Sequence, residues 1–167
     1  MSEQHEENFR QSMRRLAATV CVLSCEHQGV RFGITVTSVT SLSFQPLSIL
    51  ACINKGSSIV GPLLDEGRYC INVLKKSQVD ISKRFSGGVP ASERFLVGNW
   101  TANAEGIPYL PDAQANLFCE VDQTVGYSTH QIVIGRATAA CFAEQVAPLI
   151  YQNGAYAASG PLLLNAA

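Results

Sequence analysis

Residues 33–58 read GITVTSVTSLSFQPLSILACINKGSS, two β-rich runs on either side of Gln45-Pro46 that end on a polar turn. Val, Ile, Thr and Phe favour extended backbone, and the Gln-Pro step divides the stretch into two strands. The first run holds Thr35, Thr37, Ser38, Thr40, Ser41 and Ser43, six hydroxyls in nine positions, more than simple alternation requires. That density suits a solvated strand face, or else a row of hydroxyl and backbone N–H donors for an anion such as phosphate. The second run closes on Cys52-Ile53-Asn54-Lys55-Gly56-Ser57-Ser58, which puts an amide, an ammonium and two hydroxyls where a buried strand passes into a helix start. Helix starts attract anions.

Working outward from this stretch, residues 19–25, 30–40, 47–53 and 69–74 are short apolar runs bounded by turn residues and predict antiparallel strands. Leu117, Cys119, Val121 and Val125 alternate with polar neighbours and are followed, after Gly126, by residues 131–141, which predicts a long hairpin. Phe9, Met13 and Leu16 share one helical stripe opposite Arg10 and Arg14, so residues 6–16 predict a helix covering a sheet. Ser77 with Asp80 resembles a capping box and Gly87 can end a helix, giving a second helix over 78–85. Residues 57–64 allow only a turn or two of helix, because Gly61 and Pro62 interrupt it. Residues 88–109 show little periodicity and read as a long loop, of a length that is uncommon unless the loop binds something or is disordered. Six or more strands with few helices favour a mainly β fold closed into a barrel, since closure removes exposed edges.

At 167 residues the chain fits one domain, with its core over about 9–159. Only 15% of residues are charged, against roughly a quarter in a typical soluble domain, so part of the surface is expected to be covered by a partner. The net charge of -1 gives no electrostatic footprint for nucleic acid or for an anionic membrane surface. No apolar run is long enough to span a bilayer and the start MSEQHEENFR is not a signal peptide, so the chain reads as cytoplasmic. Cys21, Cys25, Cys52, Cys70, Cys119 and Cys141 form no CxxC pair and read mainly as buried thiols, and the three histidines are too scattered to argue for a metal. No glycine-rich GxGxxG fingerprint is present, so a nicotinamide dinucleotide would not bind in the Rossmann manner.

The 33–58 stretch resembles the signature of the short-chain flavin reductases, the reductase components of two-component flavin-dependent monooxygenases. Further matches follow in the family's order: GRYCINVL at 67–74, ISKRFSG at 81–87, HQIVIG at 130–135 and PLIYQNGAY at 148–156. The chain departs from the family in having Ser128-Thr129 before His130, where Gly-Asp is usual, and in having only Pro46 where two prolines are common. A carboxylate beside the ring could raise the pKa of His130 and fix its tautomer, and Thr129 can do neither in the same way.

The resemblance implies an FMN-binding split β-barrel with Greek-key-like connections, working as a homodimer with flavin near the interface. It implies FMN or FAD as cofactor, NADH or NADPH as hydride donor, and a partner monooxygenase served by diffusing reduced flavin. Flavin phosphate would be held by Thr35, Val36, Thr37, Ser38 and Ser41, and the ring edge would lie near Cys52 and Asn54, with Lys55, Ser57 and Ser58 close by. Arg84 and Phe85 would lie near the phosphate or a stacked adenine, and His130 beside the nicotinamide as the catalytic residue. Tyr156 is a further nicotinamide candidate; a tyrosine in that position serves equally as packing. Two other functions remain open at this point: a split-barrel flavoprotein that reduces another acceptor such as ferric iron, and a flavin-binding module without turnover.

Overall fold

The computed structural model describes residues 2–161. In chain order the elements are α1 (Glu3–Met13), β1 (Ala18–Thr19), β2 (Cys21–His27), β3 (Val30–Val36), β4 (Val39–Phe44) and β5 (Leu47–Asn54). These are followed by α2 (Val60–Glu66), β6 (Arg68–Val73), α3 (Val79–Phe85), α4 (Ala91–Arg94), β7 (Thr101–Ala102) and β8 (Pro108–Tyr109). The last four strands are β9 (Ala115–Tyr127), β10 (His130–Phe142), β11 (Leu149–Gln152) and β12 (Ala155–Ala158).

Seven antiparallel strands form one sheet in the order β3-β2-β6-β9-β10-β5-β4. Its two ends are consecutive in the chain. β3 pairs with β2, with Val36 opposite Cys21, and β4 pairs with β5, with Val39 opposite Ala51. Thr37 and Ser38 belong to neither ladder, although Ser38 O still accepts from Cys52 N at 3.0 Å. The expected continuous strand over 30–40 is therefore one path that changes partner halfway. The sheet closes through that covalent path, with no ladder between β3 and β4, and this is the sense in which the barrel is split. The connections are hairpins interleaved with long-range pairings of the Greek-key kind, and the strands do not form a simple meander.

The interior is filled by Leu23, Cys25, Val36, Ala51, Ile53, Tyr69, Ile71, Cys119 and Val133, with Ile59 and Leu63 of α2 closing it. A Cβ on Gly135 would overlap the Tyr69 hydroxyl, so the glycine of the HQIVIG stretch makes room for the largest fully buried side chain. A second cluster packs outside the barrel: Val20, Val22, Leu74, Ile81, Phe85, Leu110 and Leu149, bordered by Phe95 and Trp100. It clamps α3 onto β3.

Several local expectations need correction. α1 starts at Glu3, where Ser2 Oγ accepts from His5 N, and it buries no residue; Phe9 is 64% exposed and Met13 47%. It therefore covers no sheet in the single chain, being tied at its C-terminal end by bonds such as Asn153 N to Arg14 O. α2 begins after Ser57 and Ser58 and runs through Pro62, which falls in its first turn, where a proline costs nothing. It ends on Gly67 at φ 73°. The α3 N-cap is Gln78 with no side-chain cap bond, so the Ser77–Asp80 capping box does not form. The 88–109 loop contains α4 and the β7–β8 ladder, and is fixed by Phe95 and Trp100 against Phe85, with ring centroids 5.0 and 5.1 Å away. Its far end is held by Asn72, whose Oδ1 accepts from Leu110 N at 2.8 Å and from Asn116 Nδ2 at 2.9 Å.

Burial accounts for the cysteines. Cys21, Cys25, Cys70 and Cys119 are buried, Cys52 is half-buried and Cys141 exposed. Desolvation pushes the thiols of Cys21, Cys25 and Cys119 up to about 12 and raises that of Cys70 as well.

Candidate active site

α3 lies across β3 because Gly33 carries no side chain. A Cβ there would stand 2.5 Å from Phe85 Cε1 and 3.2 Å from Phe95 Cζ. With the helix this close, Thr35 Oγ1 donates to Ser82 O at 2.7 Å. Around the two elements and the β11–β12 hairpin lie three neighbouring open pockets, taken together as one groove because the central one shares Ser86 with one neighbour and Thr37, Tyr151 and Gly154 with the other.

The central lobe, about 420 Å³, is walled by Thr35 and Thr37 on one side, Ser82, Lys83 and Ser86 on the other, and Tyr151, Gly154 and Tyr156 at its rim. Tyr156 Oη is 2.9 Å from Ser82 Oγ, and its ring meets Tyr151 edge to face at 5.4 Å. The two tyrosine rings give this lobe an aromatic rim. Past Ser86 the groove continues into a polar lobe of about 480 Å³, lined by Ile34, Asn54, Gly56, Ser57, Ser58, Gly87 and Arg94. In the other direction, past Thr37, Tyr151 and Gly154, it continues to Ser38, Asn153 and the α1 side chains Arg10, Met13 and Arg14.

The residues singled out in the sequence separate into three groups. Thr35, Thr37, Ser38, Asn54, Ser57, Ser58 and Tyr156 line the groove. Cys52, Lys55 and His130 stand on neighbouring strand ends: His130 is opposite Asn54 and Ile132 opposite Cys52 in the β5–β10 ladder. Lys55 N donates to Thr129 O, and Lys55 Nζ to Ser128 O at 2.9 Å, which locks the hairpin turn to the end of β5. The remaining four have other surroundings. Val36 packs inside the barrel, Ser41 is exposed on β4, and Phe85, buried in the single chain, forms part of the wall of the polar lobe. Arg84 is spent on α4: its Nε and Nη2 donate to Glu93 O, and the Glu93 carboxylate lies 3.8 Å away.

His130 is exposed, with Nδ1 2.9 Å from Thr129 Oγ1. The threonine that replaces the usual acid thus still engages the ring, by a neutral hydrogen bond in place of a charge. Sequence reasoning missed Ser82, Lys83, Ser86 and Arg94. Ser82 and Ser86 stand four apart, the spacing that puts two side chains on one helix face, and this signal was present in the ISKRFSG stretch.

A flavin nucleotide is a flat amphipathic ring carrying a polyol and a phosphate. The groove fits that outline, with a lobe rimmed by aromatics, hydroxyls along its length and a cationic lobe at one end. The sequence profile of the flavin reductase like domain matches residues 13–160. The chain belongs to this family. It is 39% identical over 162 residues to the reductase component of the FADH2-dependent resorcinol hydroxylase of Rhizobium sp. strain MTP-10005, covering 96% of this chain and 90% of that protein. It is 38% identical over 125 residues to the FMN reductase (NADH) RutF of Pseudomonas syringae pv. syringae, covering 75% and 70%. The crystal structure of a flavin reductase domain protein from Arthrobacter sp. FB24 superposes with a TM-score of 0.88 at 25% identity, covering 96% of this chain and 99% of that one. The fold is therefore the mainly β flavin reductase barrel. Among the described residues, no helix is long and apolar enough to cross a membrane.

Proposed function

We propose that this protein is an NAD(P)H:flavin oxidoreductase that reduces FMN or FAD and supplies the reduced flavin to a separate monooxygenase. The observation that carries this reading is the composite groove between β3 and α3, in a chain of the flavin reductase family. The likeness to a resorcinol hydroxylase reductase component supports the two-component arrangement.

The bound flavin supplies the hydride-accepting ring, so the protein needs no nucleophile and no strong acid–base pair. Its own residues align and hold. Thr37 and Ser38, outside both ladders, offer backbone N–H groups and hydroxyls along one wall, where they can meet negative charge at a ring edge. The Ser82–Tyr156 hydrogen bond fixes a tyrosine face at the rim, against which a planar ring packs. His130, held by Thr129 at the end of β10, stands next to Asn54 where a nicotinamide can approach the polar lobe. Open access suits two ligands that exchange rapidly.

A homodimer belongs to the same reading. It is supported by large exposed apolar side chains: Phe44 (81% exposed) with Leu47 on the β4–β5 hairpin at one edge of the sheet, and Tyr127 (75%) with Val125 at the C-terminal end of the central strand β9. We place the protein in the cytoplasm, where buried unpaired thiols persist. The experiment is to mix purified protein with NADH or NADPH, with and without added FMN or FAD, and follow absorbance at 340 nm in air. Oxidation that requires added flavin supports the proposal. Oxidation without it points to a retained flavin serving another acceptor, and flavin binding without oxidation points to a binding module.

A further inference from the structure

α1 turns its apolar side outward. Its polar side is knitted to itself: Gln11 Nε2 donates to Glu7 Oε1 at 2.7 Å, Arg10 Nη1 donates to Glu7 Oε2, and Arg15 Nη1 donates to Gln11 O at 2.7 Å. Glu7 and Gln11, the two half-buried positions of the helix, lie on that side. The apolar stripe stays open, with Leu16 60% exposed below Phe9 and Met13. His5, Glu6, Phe9, Arg10 and Met13 line an open pocket of about 610 Å³ on the helix. An 11-residue helix is marginal in water by itself and depends on packing of such a face.

We propose that residues 162–167 of the same chain dock on this stripe and hold α1 in place as the end wall of the groove. They read LLLNAA, three leucines in succession and no charge, directly after Gly160-Pro161. The small sheet β1-β11-β12 delivers them to the same side of the molecule: α1 leads into one of its edge strands, and residues 159–167 follow the other. Those nine residues reach up to about 30 Å, and α1 is about 16 Å long, so the leucines can lie along it. Covalent attachment favours this occupant over a second copy of the chain. Phe9, Met13 and Leu16 offer on the order of 300 Å², well under the roughly 800 Å² per partner of a stable interface between separate chains. A tethered segment needs far less area, because the tether holds it at an effective concentration of about millimolar. Residues 3–12 and 161–167 fall outside the 13–160 matched by the family profile, so the contact is additional to the shared barrel. Arg10 and Met13 also line the lobe that contains Thr37, Ser38 and Asn153, which couples the docked leucines to the groove. That coupling rests on the flavin reductase reading; the docking does not.

The test is amide hydrogen exchange on the full chain, a chain ended after Pro161, L162S/L163S/L164S, the conservative L162M/L163M/L164M, and F9S, with the β9 and β10 amides as the control for folding. The α1 amides should exchange at least about tenfold faster in the shortened chain, in the triple serine variant and in F9S, while β9 and β10 keep their protection. Combining F9S with the shortened chain should add nothing, since each removes the same contact, and the triple methionine variant should retain wild-type protection. Protection of α1 that survives the loss of residues 162–167 overturns the docking, and if that protection then falls on dilution the stripe belongs to a second copy. Parallel loss of protection in α1 and in the barrel also overturns it, since residues 162–167 would then be a general stabiliser. With FMN as the probe, the shortened chain should bind about two- to fivefold more weakly, and an unchanged FMN constant overturns the groove-wall role. Wild-type protein that binds no FMN refutes the flavin reductase reading and leaves the exchange result standing.

Discussion

Gly33→Ala tests whether the groove depends on the close approach of α3 to β3. The added methyl group would meet Phe85 Cε1 at 2.5 Å and Cδ1 at 2.8 Å, well inside van der Waals contact. Phe85 cannot swing aside, being fully buried with Phe95 at 5.0 Å and Trp100 at 5.1 Å. α3 must therefore move outward. Overpacking of this kind costs about 2 kcal/mol, which for a chain of this size lowers Tm by roughly 4 to 8 °C. The same movement stretches the Thr35 Oγ1 to Ser82 O bond, now 2.7 Å, and tilts the Ser82 and Ser86 wall, so flavin affinity falls by about two- to tenfold. Calorimetry and flavin titration on Gly33→Ala, Phe85→Leu and the double variant separate the causes. Phe85→Leu alone destabilises by vacating core volume, but in the Gly33→Ala background it relieves the collision, so the pair couples by about 0.5 to 3 kcal/mol. A Gly33→Ala protein with wild-type Tm and flavin affinity, or a double variant whose losses simply add, refutes the reasoning.

His130→Ala should slow reduction of bound flavin or weaken NADH binding by about 1 to 3 kcal/mol while flavin affinity stays nearly intact, and Thr129→Val should show a smaller effect of the same kind; stopped-flow reduction reads both. Asn72→Leu leaves the Leu110 N–H unpartnered in the interior and takes one of two acceptors from the Asn116 amide, so a loss of roughly 2 to 4 kcal/mol, or failure to fold, is expected by urea denaturation. Stability against pH should hold up to about 9 and then fall towards about 12: thiols whose folded pKa is raised stay protonated in the native state but ionise in the unfolded chain. Unfolding midpoints at pH 7, 9 and 10.5 check this, and a stability that rises over that window contradicts it. If the chain is a dimer, light scattering should give twice the 18.0 kDa of the chain and Tm should rise with protein concentration; a concentration-independent monomer contradicts that assignment.

The strands were legible because their pattern is local. Alternation through 117–125 and the turn at Gly126 give the long hairpin, and Gln45-Pro46 separates β4 from β5. What the pattern could not show was the change of partner at Thr37–Ser38, since both halves read as one strand and only the distant β2 and β5 decide where each pairs. Closure by covalent continuity is a tertiary property. The groove was partly legible through the hydroxyls of 35–38 and 57–58, which do line it. Arg84 and Arg94 show why the remainder was not: two arginines flank one loop, and only the fold reveals that Glu93 claims the first while the second faces the polar lobe. Similarly, the surroundings of Phe85 cannot be read until Gly33, 52 residues earlier, is found to leave the space that buries it in the single chain.

The claim that flavin is reduced in the groove between β3 and α3 is tested most directly by filling it. Ser86 is exposed at the junction of the central and polar lobes, so Ser86→Trp places a bulky ring where both meet without entering the core. The measurement is anaerobic stopped-flow reduction of FMN by NADH, followed at the flavin absorbance near ~450 nm, with Tm as the control. The account predicts a wild-type Tm within about 2 °C, since a surface substitution changes stability little, and a loss of at least about a hundredfold in the apparent rate at limiting FMN. A Ser86→Trp protein that reduces FMN at the wild-type rate, with wild-type FMN dependence, contradicts it and places the reaction elsewhere on the molecule.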